Sequence, residues 1–296
     1  MADRPRIALV LGGGAARGWA HIGVIRAFED AGIAPQLVCG TSIGALVGAA
    51  YASGKLDALE RWILGLGNFD MLGLIDPGFS AGGFIQGAKL MAAFSEQIAA
   101  CDIEELPLAF AAVATDIESG REVWMREGSL ATAVRASIAM PGVFSPVLVE
   151  DRWLVDGGLV NPVPVSLARA LGADIVLAVN VNERLAAPGG RRRYALPHEQ
   201  DHNGFWERLR QRWSSEAPDA PNVTLPGIFG VSVDALNIMQ NRVMRARLAG
   251  DPADVLLSPD VGHIGLFEFG RAADAIDQGR RCADRHLDEI RRLVGE

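Results

Sequence analysis

The sequence has few cysteines and almost no lysine. Its three cysteines, Cys39, Cys101 and Cys282, are widely spaced and odd in number, so they form neither a CxxC pair nor a zinc-binding pattern. Disulfide scaffolds are typical of short, cysteine-dense secreted chains, and this chain has 296 residues. We therefore expect free thiols in a reducing compartment.

Positive charge is also scarce. The 28 basic residues include only two lysines, Lys55 and Lys89, and 36 acidic residues bring the formal net charge to −8. Nucleic-acid-binding proteins need a positive field to displace counterions from phosphates, so this balance argues against that class of partner. It also disfavours a general attraction to anionic membranes.

One segment departs from this balance. Residues 191–213 contain six arginines and three acidic residues, and helical spacing places four apolar side chains, Phe205, Trp206, Leu209 and Trp213, on one stripe. Two interpretations stay open. The segment is either an interfacial helix that contacts lipid at the membrane periphery or a surface helix that packs its aromatic side chains on the domain.

A long apolar run is missing as well. The longest uncharged stretch, 33–54, contains Pro35 and Gln36, which makes it a poor membrane-spanning helix. The N-terminal apolar run Ile7–Leu11 is followed at once by three glycines, which fits a strand entering a loop better than a signal peptide. We expect a soluble, cytoplasmic protein.

The sequence is rich in short apolar runs that alternate with helical patterns. This alternation predicts an α/β protein with a mainly parallel sheet covered by helices on both faces. A turn at Ser119-Gly120 predicts a strand pair, and glycine-rich residues 65–87 suggest either a lid over an acyl chain or core filling. The predicted strands are 7–11, 37–39, 108–115, 175–181 and 255–257, and the predicted helical regions are 19–31, 43–53, 86–100, 129–139, 163–171, 231–249 and 271–294.

The stretch CGTSIGAL matches the pattern G-x-S-x-G at Gly40, Ser42 and Gly44. It lies where a predicted strand ends and a helix begins at Ile43. A serine at such a turn projects its hydroxyl outward, and the N–H groups of the helix N-terminus favour a developing anion at the same place. The alternative is a serine that merely caps a helix.

The stretch GGGAARG, residues 12–18, forms a second junction of strand, glycine loop and helix. A dinucleotide-binding loop does not fit, because Arg17 stands where a third glycine or alanine is required, and a P-loop does not fit for lack of Gly-Lys-Ser/Thr. Its free backbone N–H groups, with Arg17 nearby, would instead form an oxyanion hole for the carbonyl that Ser42 attacks.

A carboxylate for this serine is available in the stretch WLVDGGLVNPVP. Asp156 ends a short apolar strand, and Gly157 and Gly158 leave room for a serine beside it. The alternative is an ordinary Asp-Gly turn.

Among the five histidines, His263 is the reasonable third member of a Ser-His-Asp triad. His21 follows the glycine loop and is expected to position it. Ser42, however, follows what is only the second predicted strand, too early for an α/β-hydrolase. A two-residue Ser42–Asp156 site is therefore the stronger hypothesis.

Together, the glycine loop, the elbow GTSIG, the block RASIAMPGVFSPV and the Asp-Gly-Gly stretch resemble the patatin-like phospholipase family over about residues 6–182. The stretches AARGWAHIGVI and NRVMRARLAGDPADVLLSP further resemble its bacterial RssA-type subgroup. The resemblance implies one three-layer α/β/α domain over 1–296, with an insertion at 184–230 and C-terminal helices at 231–296.

The resemblance also assigns roles to individual residues. Ser42 would be the nucleophile and Asp156 its catalytic partner, acting on a lipid ester without metal or cofactor. Many relatives have a fourth glycine where this chain has Ala15, and alanine resists positive φ, which puts the N–H group of Ala15 in doubt. The implied oxyanion or substrate-binding residues are Gly12, Gly13, Gly14, Arg17, Gly18 and Ile43, supported by Gly40, Gly44, Gly157 and Gly158.

Three functions stay open at this point. The chain is a lipid acyl hydrolase, an acyltransferase that passes the acyl group to an alcohol or thiol, or a non-catalytic regulatory protein on the same fold. The complete set of site residues favours an enzyme.

Overall fold

The computed structural model describes residues 5–65, 83–85, 100–182 and 228–295. The described strands are β1 Ile7–Leu11, β2 Leu37–Thr41, β3 Gly83–Ile85, β4 Ala109–Asp116, β5 Glu122–Met125, β6 Gly142–Phe144, β7 Val147–Val149, β8 Arg152–Asp156, β9 Ile175–Val179 and β10 Val255–Leu257. The described helices are α1 Ala20–Ala31, α2 Ile43–Ala52, α3 Leu56–Gly65, α4 Leu130–Ser137, α5 Val165–Ala170, α6 Ile228–Gly250, α7 Ala272–Asp284 and α8 Leu287–Val294.

The central sheet has the strand order β10-β9-β1-β2-β4-β8-β7, and β5 also pairs with β4. The first five strands of this order are mutually parallel, whereas β5, β7 and β8 run antiparallel to their neighbours. Strands β1 and β9 are buried along their whole length, as expected for strands covered on both faces. The mainly parallel α/β fold with helices on both sides is therefore confirmed.

Side chains of β1 alternate between two cores. Leu9 and Leu11 belong to the core formed with α1, α2 and α7, and Ala8 and Val10 belong to the core formed with α5 and Met244 of α6. The period of two in a strand produces this division. The sheet is thus the middle of three layers.

Two strands meet end to end along one edge of β4. Strand β2 pairs along this edge until Thr41 lies opposite Val113, while β5 occupies the other edge. Strand β8 then enters antiparallel on the same edge as β2, with Asp156 opposite Ala114. The carboxyl ends of β2 and β8 therefore face each other, which brings the residue after Thr41, Ser42, next to Asp156.

The C-terminal helix α7 packs on α1 at very short range. A Cβ atom on Gly23 would lie 1.8 Å from the carbonyl oxygen of Ile276, and one on Gly279 would lie 1.9 Å from that of Ala20. Only glycine permits these two helix backbones to approach so closely. The last part of the chain is thereby fixed to the first helix.

Several elements differ from the prediction. Helix α3 and the three-residue strands β6 and β7 were not predicted, and the helical region 271–294 is divided into α7 and α8. The division follows a tightened last turn, in which the His286 N–H donates to the carbonyl of Ala283. The hairpin at Gly120, where φ is +67°, is confirmed as β4 and β5.

The predicted helix 86–100 lies outside the described residues except for its last position. The same holds for the segment 65–87 apart from Gly65 and β3, and for the insertion 184–230 up to residue 227, which includes 191–213. Within the described ranges, no helix is long and apolar enough to cross a membrane.

Candidate active site

Ser42 occupies a strained turn between β2 and α2. Its φ is +55° and its ψ is −124°, a region that residues with a side chain rarely adopt. The turn depends on glycine on both sides: a Cβ atom on Gly40 would lie 2.5 Å from the Ala45 nitrogen, and one on Gly44 would lie 2.1 Å from the Leu11 carbonyl oxygen. The G-x-S-x-G spacing therefore reflects close backbone packing around a buried turn of the chain.

A second serine supports this turn. The Ser42 N–H donates to Oγ of Ser137 at 2.8 Å, and the Ser137 hydroxyl donates to the Val113 carbonyl at 2.7 Å. Ser137 ends α4 and is fully buried. It thus ties the strained backbone of Ser42 to β4.

Asp156 accepts a hydrogen bond from the hydroxyl of Ser42. The Ser42 Oγ donates to Oδ2 of Asp156 at 2.6 Å, and the Gly158 N–H donates to Oδ1 at 2.7 Å. The hydroxyl of Thr115 donates to the Asp156 carbonyl at 2.8 Å and fixes its backbone. Both carboxylate oxygens therefore have a donor, and the side chain is aimed at Ser42.

Burial changes the acidity of Asp156. The residue is 1% exposed, and loss of hydration disfavours its charged form more than the hydrogen bonds from Ser42 and Gly158 favour it. The pKa of Asp156 is raised to about 6. The carboxylate is consequently a stronger base than an exposed aspartate and is still ionised at neutral pH.

The glycine loop lies against Ser42. A Cβ atom on Gly13 would stand 3.4 Å from the Cβ of Ser42. The N–H groups of Gly12 and Gly13 donate to the carbonyls of Val179 and Pro162, at 3.0 and 2.9 Å. These two N–H groups therefore anchor the loop, and both already donate to a backbone carbonyl.

Two other backbone N–H groups, one in the glycine loop and one directly after Ser42, differ from these. Within the described part of the chain, the Gly14 N–H has no acceptor, and neither does that of Ile43, which begins α2 and so has no partner inside its helix. A Cβ atom on Gly18 would lie 2.2 Å from Cγ2 of Ile43, so the loop and the start of α2 are in direct contact.

Hydrogen bonds from Arg17 and Asn182 hold the glycine loop in place. The Arg17 guanidinium is buried and donates from Nε to the Ile264 carbonyl at 2.7 Å and from Nη1 to Oδ1 of Asn182 at 3.3 Å. The Asn182 amide donates to the Gly13 carbonyl at 2.7 Å. Arg17 is therefore held among backbone and amide oxygens, where it fixes the loop.

Ala15 adopts a backbone conformation that is unfavourable for alanine. Its φ is +49°, in the left-handed region, despite its Cβ. The loop is fixed on both sides, by the Gly13 N–H and by the Ala16 N–H, which donates to the Leu266 carbonyl at 3.0 Å. These anchors impose the left-handed turn on alanine.

The histidines do not complete a triad in the described structure. His263 contacts Asp274 at 2.9 Å, with 43% of its side chain exposed. His21 is fully buried beside the Gly12 carbonyl at 2.8 Å, and burial lowers its pKa to about 4, so the neutral ring donates there and supports the loop. His198 and His202 lie outside the described residues, and within those described no cluster of three His, Cys, Asp or Glu could hold a metal ion.

Several residues around the site were not predicted from the sequence. They are Ser137, Asn182, and Asn161, whose carbonyl accepts the Thr41 hydroxyl at 2.8 Å. One signal could have found Asn182: it closely follows β9, and the carboxyl ends of parallel strands meet at one edge of a sheet. Ser137 lies inside the block RASIAMPGVFSPV but has no local motif of its own.

Comparison with known proteins gives the family. A family model described as patatin-like phospholipase matches residues 9–169. An uncharacterized NTE family protein of Mycobacterium bovis is 34% identical over 96% of this chain and 92% of its own length. Lysophospholipase NTE1 of Pyricularia oryzae is 31% identical over 96% of this chain, and the match covers 18% of that protein. Patatin-like phospholipase domain-containing protein 7 of Mus musculus is 33% identical over 70% of this chain, and the match covers 15% of that protein.

Two of these relatives bear the NTE name, and the RssA-type subgroup stays a prediction. The match covers the loop, the elbow and the aspartate that the structure brings together. The chain therefore belongs to the patatin-like phospholipase family.

Proposed function

We propose that this protein is a serine acyl hydrolase that cleaves fatty-acyl ester bonds of lysophospholipids or related lipids. The observation that carries the proposal is the hydrogen bond of 2.6 Å from a strained, buried Ser42 hydroxyl to Asp156. Family membership supports a lipid ester as the substrate class, and the lysophospholipase relatives favour a substrate with one acyl chain.

The first half of the reaction forms an acyl-enzyme. The Ser42 Oγ attacks the ester carbonyl while Oδ2 of Asp156 takes the hydroxyl proton. Asp156 then gives this proton to the departing alcohol, as the carbon–oxygen bond to the leaving group breaks. A pKa of about 6 suits both transfers, because the group is ionised at neutral pH and readily accepts a proton.

The oxyanion of the tetrahedral intermediate needs donors that are not already occupied. We assign this role to the N–H groups of Gly14 and Ile43, which lack acceptors within the described residues. The N-terminal dipole of α2 adds to this stabilisation. Loss of one such donor costs about 3–4 kcal/mol of transition-state stabilisation in other hydrolases.

The second half of the reaction releases the fatty acid. Asp156 takes a proton from water, whose oxygen attacks the acyl carbon, and the proton returns to Ser42 Oγ as the ester bond to the enzyme breaks. No other group has to change its charge in this scheme.

Hydrolysis of lysophosphatidylcholine and of a p-nitrophenyl acyl ester tests the proposal. We expect turnover by the wild type, background rates for Ser42→Ala and Asp156→Asn, and an unchanged rate for the matched control Ser53→Ala at the far end of α2. An unchanged rate for Ser42→Ala would remove the proposal. Added alcohol that diverts the acyl group into a new ester would indicate an acyltransferase.

We also propose that the protein is cytoplasmic and contacts the inner face of the membrane through residues 191–213. The six arginines and the aromatic side chains of that segment support this contact. In co-sedimentation with phosphatidylglycerol vesicles, a variant with Arg208, Arg210 and Arg212 replaced by glutamine should bind less than the wild type. Equal binding would argue against the contact.

A further inference from the structure

Helix α6 reaches the site although it lies beyond the range matched to the family, which ends at residue 169. Its residue Gln240 approaches the Asp-Gly-Gly turn. A Cβ atom on Gly158 would lie 2.7 Å from Nε2 of Gln240 and 2.9 Å from Oδ1 of Asp156. The amide nitrogen and the carboxylate oxygen therefore both border the space that Gly158 leaves open, and they lie at most 5.6 Å apart.

The packing of α6 fixes this position. Met244, one turn after Gln240, is 3% exposed and belongs to the core beneath the sheet. Arg247, near the C-terminal end of the helix, forms a salt bridge of 3.0 Å with Glu122. Gln240 is thus presented by a helix that is anchored on the same face.

The neighbouring residue connects the same helix to the glycine loop. The Asn241 amide donates to the Asn182 carbonyl at 2.9 Å, and the Asn182 amide donates to the Gly13 carbonyl at 2.7 Å. Helix α6 therefore contacts both the carboxylate side and the loop side of the site. Its position is set relative to both.

The Gln240 amide makes no hydrogen bond to the described residues. Gln240 is partly buried, and its side chain has no hydrogen-bond partner in the portion of the chain that the structure describes. A partly buried amide within 5.6 Å of a carboxylate oxygen is close enough to share one bridging water, because two hydrogen bonds of about 2.8 Å reach that far.

We infer that Gln240 is a catalytic residue that holds the hydrolytic water against Asp156 during deacylation. The inference rests on the function proposed above. The water donates one proton to Asp156 and keeps its second hydrogen bond with the Gln240 amide, which prevents it from rotating away from the acyl carbon. The water oxygen bonds to that carbon, the bond from the carbon to Ser42 Oγ breaks, and the proton passes from Asp156 to Oγ.

This role separates the two halves of the reaction. Acylation needs no water, so kcat/KM for an activated ester should be insensitive to Gln240, whereas kcat should depend on it when deacylation limits turnover. Gln240→Met keeps the length and packing of the side chain but removes its hydrogen-bonding groups. Gln240→Glu keeps the length of the side chain but replaces the donor Nε2 with an acceptor.

The experiment measures kcat, kcat/KM and the fraction of Ser42 that carries an acyl group during turnover of a p-nitrophenyl ester, by rapid quench and mass spectrometry. For Gln240→Met we expect kcat to fall about tenfold, as for the loss of one hydrogen bond. The acylated fraction should rise, and kcat/KM should stay within twofold of the wild type. Gln240→Glu, which cannot donate a hydrogen bond to the water when it is ionised, should not recover kcat, and the control Met239→Ala, on the exposed side of α6, should match the wild type.

Two results would overturn the inference. One is an equal fall of kcat and kcat/KM in Gln240→Met, which would mean that the residue only supports the architecture of the site. The other is no change in kcat or in the acylated fraction. If wild-type Ser42 is never acylated, the proposed function itself fails, so the two failures are distinguishable.

Discussion

Replacing Asp156 with asparagine should abolish ester hydrolysis and, at the same time, stabilise the protein at neutral pH. Asparagine has the same shape and keeps an oxygen that can accept the Gly158 N–H. It cannot take the proton of Ser42. The substitution therefore removes the base and also removes a buried negative charge.

The size of the stability change follows from the acidity of Asp156. Burial raises its pKa from 3.8 to about 6, so folding disfavours the ionised form by about 3 kcal/mol. Below pH 3.8 the carboxyl is protonated in both the folded and unfolded states, and this cost is absent. As the pH rises through 6 the full cost is present. The advantage of Asp156→Asn should therefore grow from near zero at pH 4 to about 3 kcal/mol at pH 8.

Urea unfolding of both proteins at pH 4, 5.5 and 8 measures this difference. Asp116→Asn is the matched control, because hydrogen bonds from Ser119 lower the pKa of the exposed Asp116, and its replacement should be unfavourable at neutral pH. A stability difference for Asp156→Asn that does not change with pH would refute the reasoning. It would mean that the Asp156 charge is fully compensated in the folded protein.

Three substitutions test the backbone of the site by urea unfolding. Ala15→Gly should stabilise the protein by about 0.5 kcal/mol, because relief of its left-handed φ exceeds the entropy that glycine adds to the unfolded chain, and a loss of stability would contradict this. Ser137→Ala should cost about 1–3 kcal/mol and reduce hydrolysis, because it leaves the buried Ser42 N–H without an acceptor; full activity would argue against this support. Gly44→Ala should cost about 3 kcal/mol or more, because its Cβ would lie 2.1 Å from the Leu11 carbonyl, and wild-type stability would disprove this close approach.

Local signals made the two central residues predictable. Ser42 follows an apolar strand between two nearby glycines, Asp156 ends an apolar strand before two glycines, and such junctions are visible in a single sequence. Their contact depends on β2 and β8 sharing one edge of β4, which is a property of the topology. The resemblance to the family supplied that part of the prediction.

The supporting residues could not be predicted in the same way. Ser137 contacts Ser42 across 95 positions, and Asn182 contacts Gly13 across 169, so no local pattern marks either contact. Strands β6 and β7 were missed because, unlike the equally short β10, they contain at most one buried residue each and so show no apolar alternation. At Ala15 the local rule was correct but did not decide the structure: alanine disfavours positive φ, yet the anchored loop imposes it.

The central claim is that Ser42 is a nucleophile activated by Asp156. The most direct test is the rate at which a fluorophosphonate probe labels Ser42 between pH 4.5 and 8.5, with the modified residue identified by mass spectrometry. The account predicts one adduct, on Ser42, with a labelling rate that rises as the pH passes through about 6, where Asp156 ionises, and that falls to background in Asp156→Asn. Absence of the adduct in the folded wild type, or equal labelling of the wild type and Asp156→Asn, would contradict it.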